Sequence, residues 1–211
     1  MTAPSLPRRS VVLIVAMTAA LIALLAQSAS AGVLVSSAGD CDDPGLEQPF
    51  TPWLDPANYV LAGDGTFEND ASGWQLDGAS VVSGNEPYFV HGSGESHSLR
   101  LPAGSSATSP VSCVGLEHPT LRHFASRQGG SLLSSLKVEV LYEDALGATR
   151  SLAIGNVLSG SGFGPTAQMP IVANLLPLLP GERTPVSFRF TPQGSGAWRI
   201  DDVYVDPWKR R

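Results

Sequence analysis

Residues 137–155 read KVEVLYEDALGATRSLAIG, and this stretch decides the fold class. Val138, Val140 and Tyr142 alternate with charged residues, a period of two that is typical of a half-buried β-strand. Residues 144–147 form a predicted turn, after which residues 149–155 return as the second strand of a hairpin. The stretch therefore predicts antiparallel β-structure, although Leu141 interrupts the polar side of the first strand.

The pattern extends outward from this hairpin in both directions. Val186, Phe188 and Phe190 alternate with polar residues, which predicts another half-buried strand. Elsewhere, short apolar runs are separated by Gly, Pro, Ser, Asn and Asp at intervals of roughly ten residues, as in a β-sandwich. The sequence predicts an all-β protein with one sandwich domain.

The first 31 residues have the three parts of a cleavable signal peptide. Arg8 and Arg9 precede an apolar run from Val11 to Leu25, and residues 29–31 are a small-residue cleavage site. We predict three segments: a signal peptide over 1–31, a proline-rich lead-in over 32–58, and the sandwich over 59–211. Phe50 and Trp53 of the lead-in are expected to pack against the sandwich. The predicted location is secreted or extracellular.

The charge of the mature chain narrows the choice of partners. The signal peptide holds two arginines and no acidic residue, so its removal changes the net charge from −6 to −8. A surface this acidic disfavours nucleic acid and anionic lipid. No second apolar run matches the length of the first, so no stable membrane insertion is expected after signal cleavage. The sequence leaves the oligomeric state open.

Cys41 and Cys113 are the only two cysteines. In an exported protein an even number of cysteines favours a disulfide. A Cys41–Cys113 disulfide would close a long loop and, in the chain-entropy model, stabilise the folded protein by ~4 kcal/mol. The alternative is a pair of free thiols.

The motifs of several enzyme classes are missing. The sequence has no Gly-x-Ser-x-Gly elbow, no His-Glu-x-x-His zinc helix and no phosphate-binding loop with lysine. A carboxylate pair of a glycosidase has no fixed sequence spacing, but the prediction is a protein that is not an enzyme.

Two segments resemble the opening and closing strands of a known fold. They are residues 65–74, GTFENDASGW, and residues 198–205, WRIDDVYV. Together they resemble the galactose-binding-like jelly roll of bacterial carbohydrate-binding modules. The resemblance implies a single jelly-roll β-sandwich of about eight antiparallel strands, in which the first and last strands lie side by side.

The same resemblance implies a structural calcium ion between these strands. Its predicted ligands are Glu68 and Asp201, with Asp202 as a substitute, because calcium is bound by carboxylate and carbonyl oxygens. The alternative is that Glu68 caps a turn and Asp201 is a solvated strand residue.

The favoured function is a secreted, non-catalytic binding domain for a glycan of the cell envelope or the environment. Candidate ligand-binding residues are Tyr88 and Tyr142 for stacking on sugar rings, with Arg122 and Glu86 for hydrogen bonds to hydroxyl groups. Burial of Tyr142 in the core is the alternative for that residue, because it alternates with valines. The alternative function is an extracellular structural or protein-interaction domain without a sugar site.

Overall fold

The computed structural model describes residues 45–115, 118–144, 146–158, 160–172 and 183–207. The predicted signal peptide and residues 32–44 of the lead-in lie outside these ranges. One turn of 3₁₀-helix, η1, spans Thr51–Trp53. It is followed by thirteen strands in the described chain: β1 Val60–Leu61, β2 Gln75–Asp77, β3 Ser80–Ser83, β4 His97–Leu101, β5 Ser106–Thr108, β6 Ser112–Val114, β7 Thr120–Gln128, β8 Ser135–Glu143, β9 Thr149–Val157, β10 Gly164–Pro165, β11 Met169–Pro170, β12 Thr184–Gln193 and β13 Ala197–Asp206.

The strands form two antiparallel sheets, which confirms the predicted β-sandwich. One sheet has the order β10-β7-β13-β4-β3, with β1 also paired to β13 and β11 to β7. The other has the order β2-β5-β12-β8-β9, with β6 also paired to β12. Several strands have only two or three residues; β10 and β11 end at Pro165 and Pro170, where proline cannot donate to a strand ladder. The segments therefore outnumber the eight strands expected.

The first and last strands lie side by side, but the first strand is β1, because residues 65–74, the predicted opening strand, form turns. Val60 of β1 pairs with Val205 of β13, and Leu61 pairs with Tyr204. The predicted hairpin is also present, with β8 paired to β9 along its length. Among the described residues, no helix has the length and apolar character needed to cross a bilayer.

The main core lies between the two sheets. The alternation in β12 holds, because Val186, Phe188 and Phe190 are all fully buried there. Val138 and Val140 of β8 are fully buried in the same core. These inward-facing rows supply the apolar burial that stabilises the sandwich.

A second, smaller core lies on the outer face of the sheet that contains β7 and β13. It consists of the fully buried rings of Phe50, Tyr59, Phe124 and Tyr204. The Phe50 ring stacks on Phe124 at a centroid distance of 5.7 Å and meets Tyr204 edge-on at 5.8 Å. Residues 47–58 of the lead-in therefore cover this sheet face, with Phe50 and Trp53 packed against it as expected.

His123 of β7 is enclosed in the protein interior. Its side chain is fully buried, and neither ring nitrogen has a hydrogen-bond partner among the described residues. Its ring meets Phe190 edge-on at 5.1 Å. Burial lowers the pKa of His123 from 6.5 to about 3, because the apolar surroundings disfavour the imidazolium ion.

The burial of His123 predicts a specific loss of stability in acid. Between pH 6.5 and 3 the unfolded chain binds a proton here and the folded chain does not, so stability falls as the pH decreases. The contribution is roughly 1.4 kcal/mol per pH unit below 6.5. In urea unfolding at several pH values, His123→Leu is expected to flatten this slope relative to the unchanged protein. An identical slope in the two proteins would contradict a neutral, buried His123.

Candidate functional site

An irregularity in β13 creates the acidic part of the site. The pairing of β13 with β7 shifts register between Asp201 and Tyr204, and Asp202 adopts a left-handed backbone with φ of 47°. Asp and Asn tolerate this conformation better than most residues. Both Asp201 and Asp202 are fully buried, so the alternative of a solvated Asp201 is wrong.

The side chains of three acidic residues converge beside this irregularity. Each of Glu86, Glu95 and Asp202 places one carboxylate oxygen within 4.8 Å of the others, and we call this group the acidic cluster. Glu86 and Asp202 are fully buried. Neither carboxylate oxygen of Asp202, nor Oε1 of Glu95, has a hydrogen-bond partner among the described residues.

Burial and the neighbouring carboxylates raise the pKa values of both aspartates of β13. Burial, together with the negative charges of Asp201, Glu95 and Glu86, raises the pKa of Asp202 to about 9. Burial also raises the pKa of Asp201 to about 8, although its carboxylate accepts hydrogen bonds from the backbone N–H of Glu86 and Asp202. In each case the folded structure disfavours the ionised form.

The acidic cluster has the donor chemistry of a calcium site. Calcium takes six to eight oxygen ligands, and carboxylates without hydrogen-bond donors are well suited to it. A buried carboxylate without a partner is costly, and a bound cation removes that cost by neutralising it. Glu86, Glu95 and Asp202 would supply side-chain oxygens to such an ion.

Glu68, the ligand predicted from the opening motif, has other contacts. Its Oε1 accepts hydrogen bonds from the backbone N–H groups of Ser96 and His97, both at 2.7 Å. Its Oε2 lies 2.9 Å from Nδ1 of His97. Burial acts to raise the pKa of Glu68, but these hydrogen bonds outweigh it and lower the pKa. The structure therefore brings Asp202 into the acidic cluster and leaves Glu68 outside it.

Glu86 is placed inside the protein, which corrects its prediction as a residue that binds sugar hydroxyls. Its carboxylate accepts hydrogen bonds from the backbone N–H groups of Tyr88 and Val90 and belongs to the acidic cluster. A fully buried carboxylate has no surface to offer a glycan. Glu86 instead fixes the loop that carries Tyr88.

An aromatic groove lies where this loop meets the lead-in. Trp53 and Tyr88 line it, with their ring centroids 5.0 Å apart and their planes at 89°. The groove has a volume of about 570 Å³. Tyr88 is 49% exposed, and the Trp53 ring packs on Phe124 at 5.3 Å. The remaining lining residues are Gln48, Pro49, Pro52 and Val90.

The sequence predicted Tyr88, but not Trp53, at a ligand site. The two residues are distant in sequence, and only the docking of the lead-in on the sheet brings them together. Tyr142, the other predicted stacking residue, is half-buried and packs against the main core between the sheets, the alternative considered for it.

Arg122 is also buried, which corrects its prediction as a ligand-binding residue. Its guanidinium forms an ion pair with Asp55, donates to the carbonyl of Thr166 at 2.8 Å, and lies 4.3 Å from the centre of the Phe50 ring. With 7% of its surface exposed, Arg122 holds the lead-in to β7 and does not face solvent.

Cys113 lies in β6 and is half-buried. Its predicted partner, Cys41, lies outside the described residues, so the pairing stays a prediction.

Known structures share this fold. The N-terminal tandem of family 22 carbohydrate-binding modules from Paenibacillus barcinonensis Xyn10C matches with a TM-score of 0.50 and 13% identity, covering 73% of this chain and 47% of that one. The xylan-binding domain of the same protein matches with a TM-score of 0.46 and 13% identity, and the match covers 72% of this chain and 94% of that one. The structure of Clostridium thermocellum xylanase 10B with xylohexaose matches with a TM-score of 0.46 and 15% identity, and the match covers 69% of this chain.

The match spans only 28% of the xylanase chain. A scan against models of protein families finds no match. A search of curated proteins also finds no match. At these identities the likeness concerns the fold alone, and it confirms the predicted resemblance at that level: the chain folds as a jelly-roll β-sandwich, as these family 22 carbohydrate-binding modules do.

Proposed function

We propose that this protein is a secreted, non-catalytic domain that binds a glycan in the aromatic groove between Trp53 and Tyr88. The observation that carries the proposal is the pairing of these two rings at a surface groove. Aromatic rings stack on the apolar faces of sugar rings, and a groove of about 570 Å³ falls within the usual size range of ligand sites.

A second groove is less suited to a sugar. It lies between β9 and residues 164–169, has a volume of about 410 Å³, and has no aromatic side chain in its described lining. The outer face of the sheet containing β8 and β12 is also unsuitable. There Glu139 forms ion pairs with Lys137 and Arg189.

The fold supports a glycan ligand as a class. The matched structures are described as carbohydrate-binding modules, among them a xylan-binding domain. A shared fold does not determine the ligand, so the proposal rests on the groove and extends only to a glycan.

A non-catalytic role agrees with the placement of the carboxylates. Glu86 and Asp202 lie close enough to act together, but both are fully buried, so a substrate cannot reach them. We assign them to calcium, together with Glu95. The bound ion would neutralise the acidic cluster and stabilise the loop that Glu86 fixes beside the groove.

The proposal includes export and a Cys41–Cys113 disulfide. Both follow from the signal-peptide pattern and the even pair of cysteines. Peptide mapping without reductant, performed on protein recovered from the culture medium, tests them together. Recovery of Cys41 and Cys113 as separate thiol peptides would contradict the bridge.

Binding to insoluble polysaccharides and cell-wall preparations, with calcium present, tests the function. We expect retention on at least one polymer, and a loss of roughly 5- to 150-fold in affinity for Tyr88→Ala, if a ring stacked on a sugar contributes about 1–3 kcal/mol, as one stacked on a nucleic-acid base does. Phe89→Ala is the matched control, because Phe89 is 46% exposed next to Tyr88 but does not line the groove.

Two results would argue against a sugar site in this groove. Equal losses for Tyr88→Ala and Phe89→Ala would place the ligand elsewhere. No retention by the folded protein on any polymer would favour the structural or protein-interaction alternative. Trp53→Ala is a weaker test, because Trp53 also packs on Phe124 and its removal affects stability.

A further inference from the structure

Three leucines are exposed together at the end of the sandwich where β8 begins and β9 ends. Leu132 and Leu133 precede β8 and are 83% and 89% exposed, and Leu158 follows β9 and is 75% exposed. The pairing of Leu136 with Val157 places these leucines next to the adjoining ends of two neighbouring strands. We call Leu132, Leu133 and Leu158 the leucine tip.

Leu132 and Leu133 are held outward by an ordered turn. The backbone N–H of Ser134 donates to the carbonyl of Ser131 at 2.9 Å, and the N–H of Leu133 donates to Oγ of Ser131 at 3.2 Å. Leucines therefore occupy the two corner positions, where turns usually have Gly, Pro, Asn, Asp or Ser. The turn presents apolar side chains to water in a fixed arrangement.

The described loops at this end contain no charged residue. They are residues 102–105, 129–134, 160–163 and 194–196, and apart from the leucines they are mainly Gly and Ser. The register of the strands places them together, since Ala197 pairs with Gln128 and Trp198 pairs with Leu101. These loops therefore carry no negative charge of their own, and Asp77 at the end of β2 is an exposed acidic residue at this end.

Although the mature chain is acidic as a whole, the charged side chains behind the leucine tip are mainly basic, which favours an anionic surface at this end. Arg127 donates to the carbonyl of Ser131 and has no carboxylate partner among the described residues. The neighbouring Lys137 and Arg189 share one carboxylate, that of Glu139. The acidic residue Asp77 lies in β2, the edge strand of the sheet that contains β8. Strands β5 and β12 separate it from β8 and the leucine tip.

We propose that the leucine tip is a peripheral membrane-binding surface that inserts its leucines into the interface of a lipid bilayer. A protruding turn with apolar corners, uncharged Gly and Ser around it and a basic side chain behind it matches the layered polarity of a bilayer surface. Insertion of three leucines without a spanning segment gives reversible attachment. This inference does not depend on the glycan site.

Co-sedimentation of the exported, signal-processed protein with vesicles of mixed phosphatidylcholine and phosphatidylglycerol tests the proposal. We expect binding that falls roughly 100-fold in the double variant Leu132→Ser/Leu133→Ser, since burying each leucine is worth about tenfold or more. Leu146→Ser is the matched control. Leu146 is 89% exposed but follows β8, at the other end of that strand.

Because these leucines are exposed, the double variant is expected to keep the melting temperature of the unchanged protein, and circular dichroism checks this. Absence of vesicle binding, or equal loss in the control variant, would overturn the proposal. So would self-association in sedimentation velocity that the double variant abolishes, because the leucine tip would then bind a second copy of the chain.

Discussion

Replacing Arg122 by Met is expected to destabilise the protein by about 3–5 kcal/mol, because it leaves a buried carboxylate without its cation. Arg122 and Asp55 are 7% and 8% exposed, respectively. Asp55 also accepts hydrogen bonds from the Tyr59 hydroxyl at 2.7 Å and from the Gln168 side-chain amide at 3.0 Å. Urea unfolding measures the free-energy change.

The contacts of Asp55 explain why the carboxylate stays ionised. Burial acts to raise the pKa of Asp55, but hydrogen bonds from Tyr59, Arg122 and Gln168 outweigh it and lower the pKa. Removing the guanidinium therefore leaves a negative charge that the interior stabilises poorly.

The double variant Asp55→Asn/Arg122→Met is the control. It removes both charges, so it is expected to be more stable than Arg122→Met alone, which a double-mutant cycle measures. A change of less than about 1 kcal/mol in the free energy of unfolding of Arg122→Met is typical of an exposed ion pair. Such a result would show that the ion pair does not hold the lead-in to β7.

The second large effect concerns calcium. We expect calcium at about 100 times its dissociation constant to stabilise the folded protein by ~2.7 kcal/mol, or a rise of roughly 5–10 °C in melting temperature. The reason is the convergence of Glu86, Glu95 and Asp202, whose repulsion a bound cation relieves. Calorimetry with calcium and with chelator measures the shift.

Two variants distinguish the cluster from the ligand set implied by the resemblance. Asp202→Asn should abolish the calcium shift, because it removes a carboxylate of the acidic cluster. Glu68→Gln should keep most of it, because Glu68 binds the Ser96 and His97 amides instead. The reverse result would restore Glu68 as the ligand, and a melting temperature unaffected by calcium and chelator would remove the metal site.

The strand pattern was predictable because burial in a sandwich repeats every two residues. Val186, Phe188 and Phe190 show this period and all lie in the main core. The resemblance placed residues 65–74 beside residues 198–205 as an opening strand. In the structure residues 65–74 form turns, and the strand paired with β13 is the preceding β1, although the N–H of Val203 donates to the carbonyl of Gly65.

The site was only partly predictable, because it depends on contacts between distant segments. Glu86 reaches Asp202 across more than a hundred residues, and no local spacing indicates such a contact. The β13 irregularity also breaks the period of two, so the sequence does not show which of the two aspartates joins the acidic cluster. Arg122 was misplaced for a related reason, since its burial depends on the docked lead-in.

The pairing of β1 with β13 also has a consequence for the order of folding during synthesis. Glu47 and Tyr204, 157 positions apart, are joined by a hydrogen bond, and Val60 pairs with Val205. Contacts of such large sequence separation slow folding, and these must wait until the C-terminal strand has been made. A nascent chain that lacks β13 therefore cannot close the sandwich. Under the proposed export, we expect it to stay open long enough to pass through a translocation channel, and to fold only on the far side.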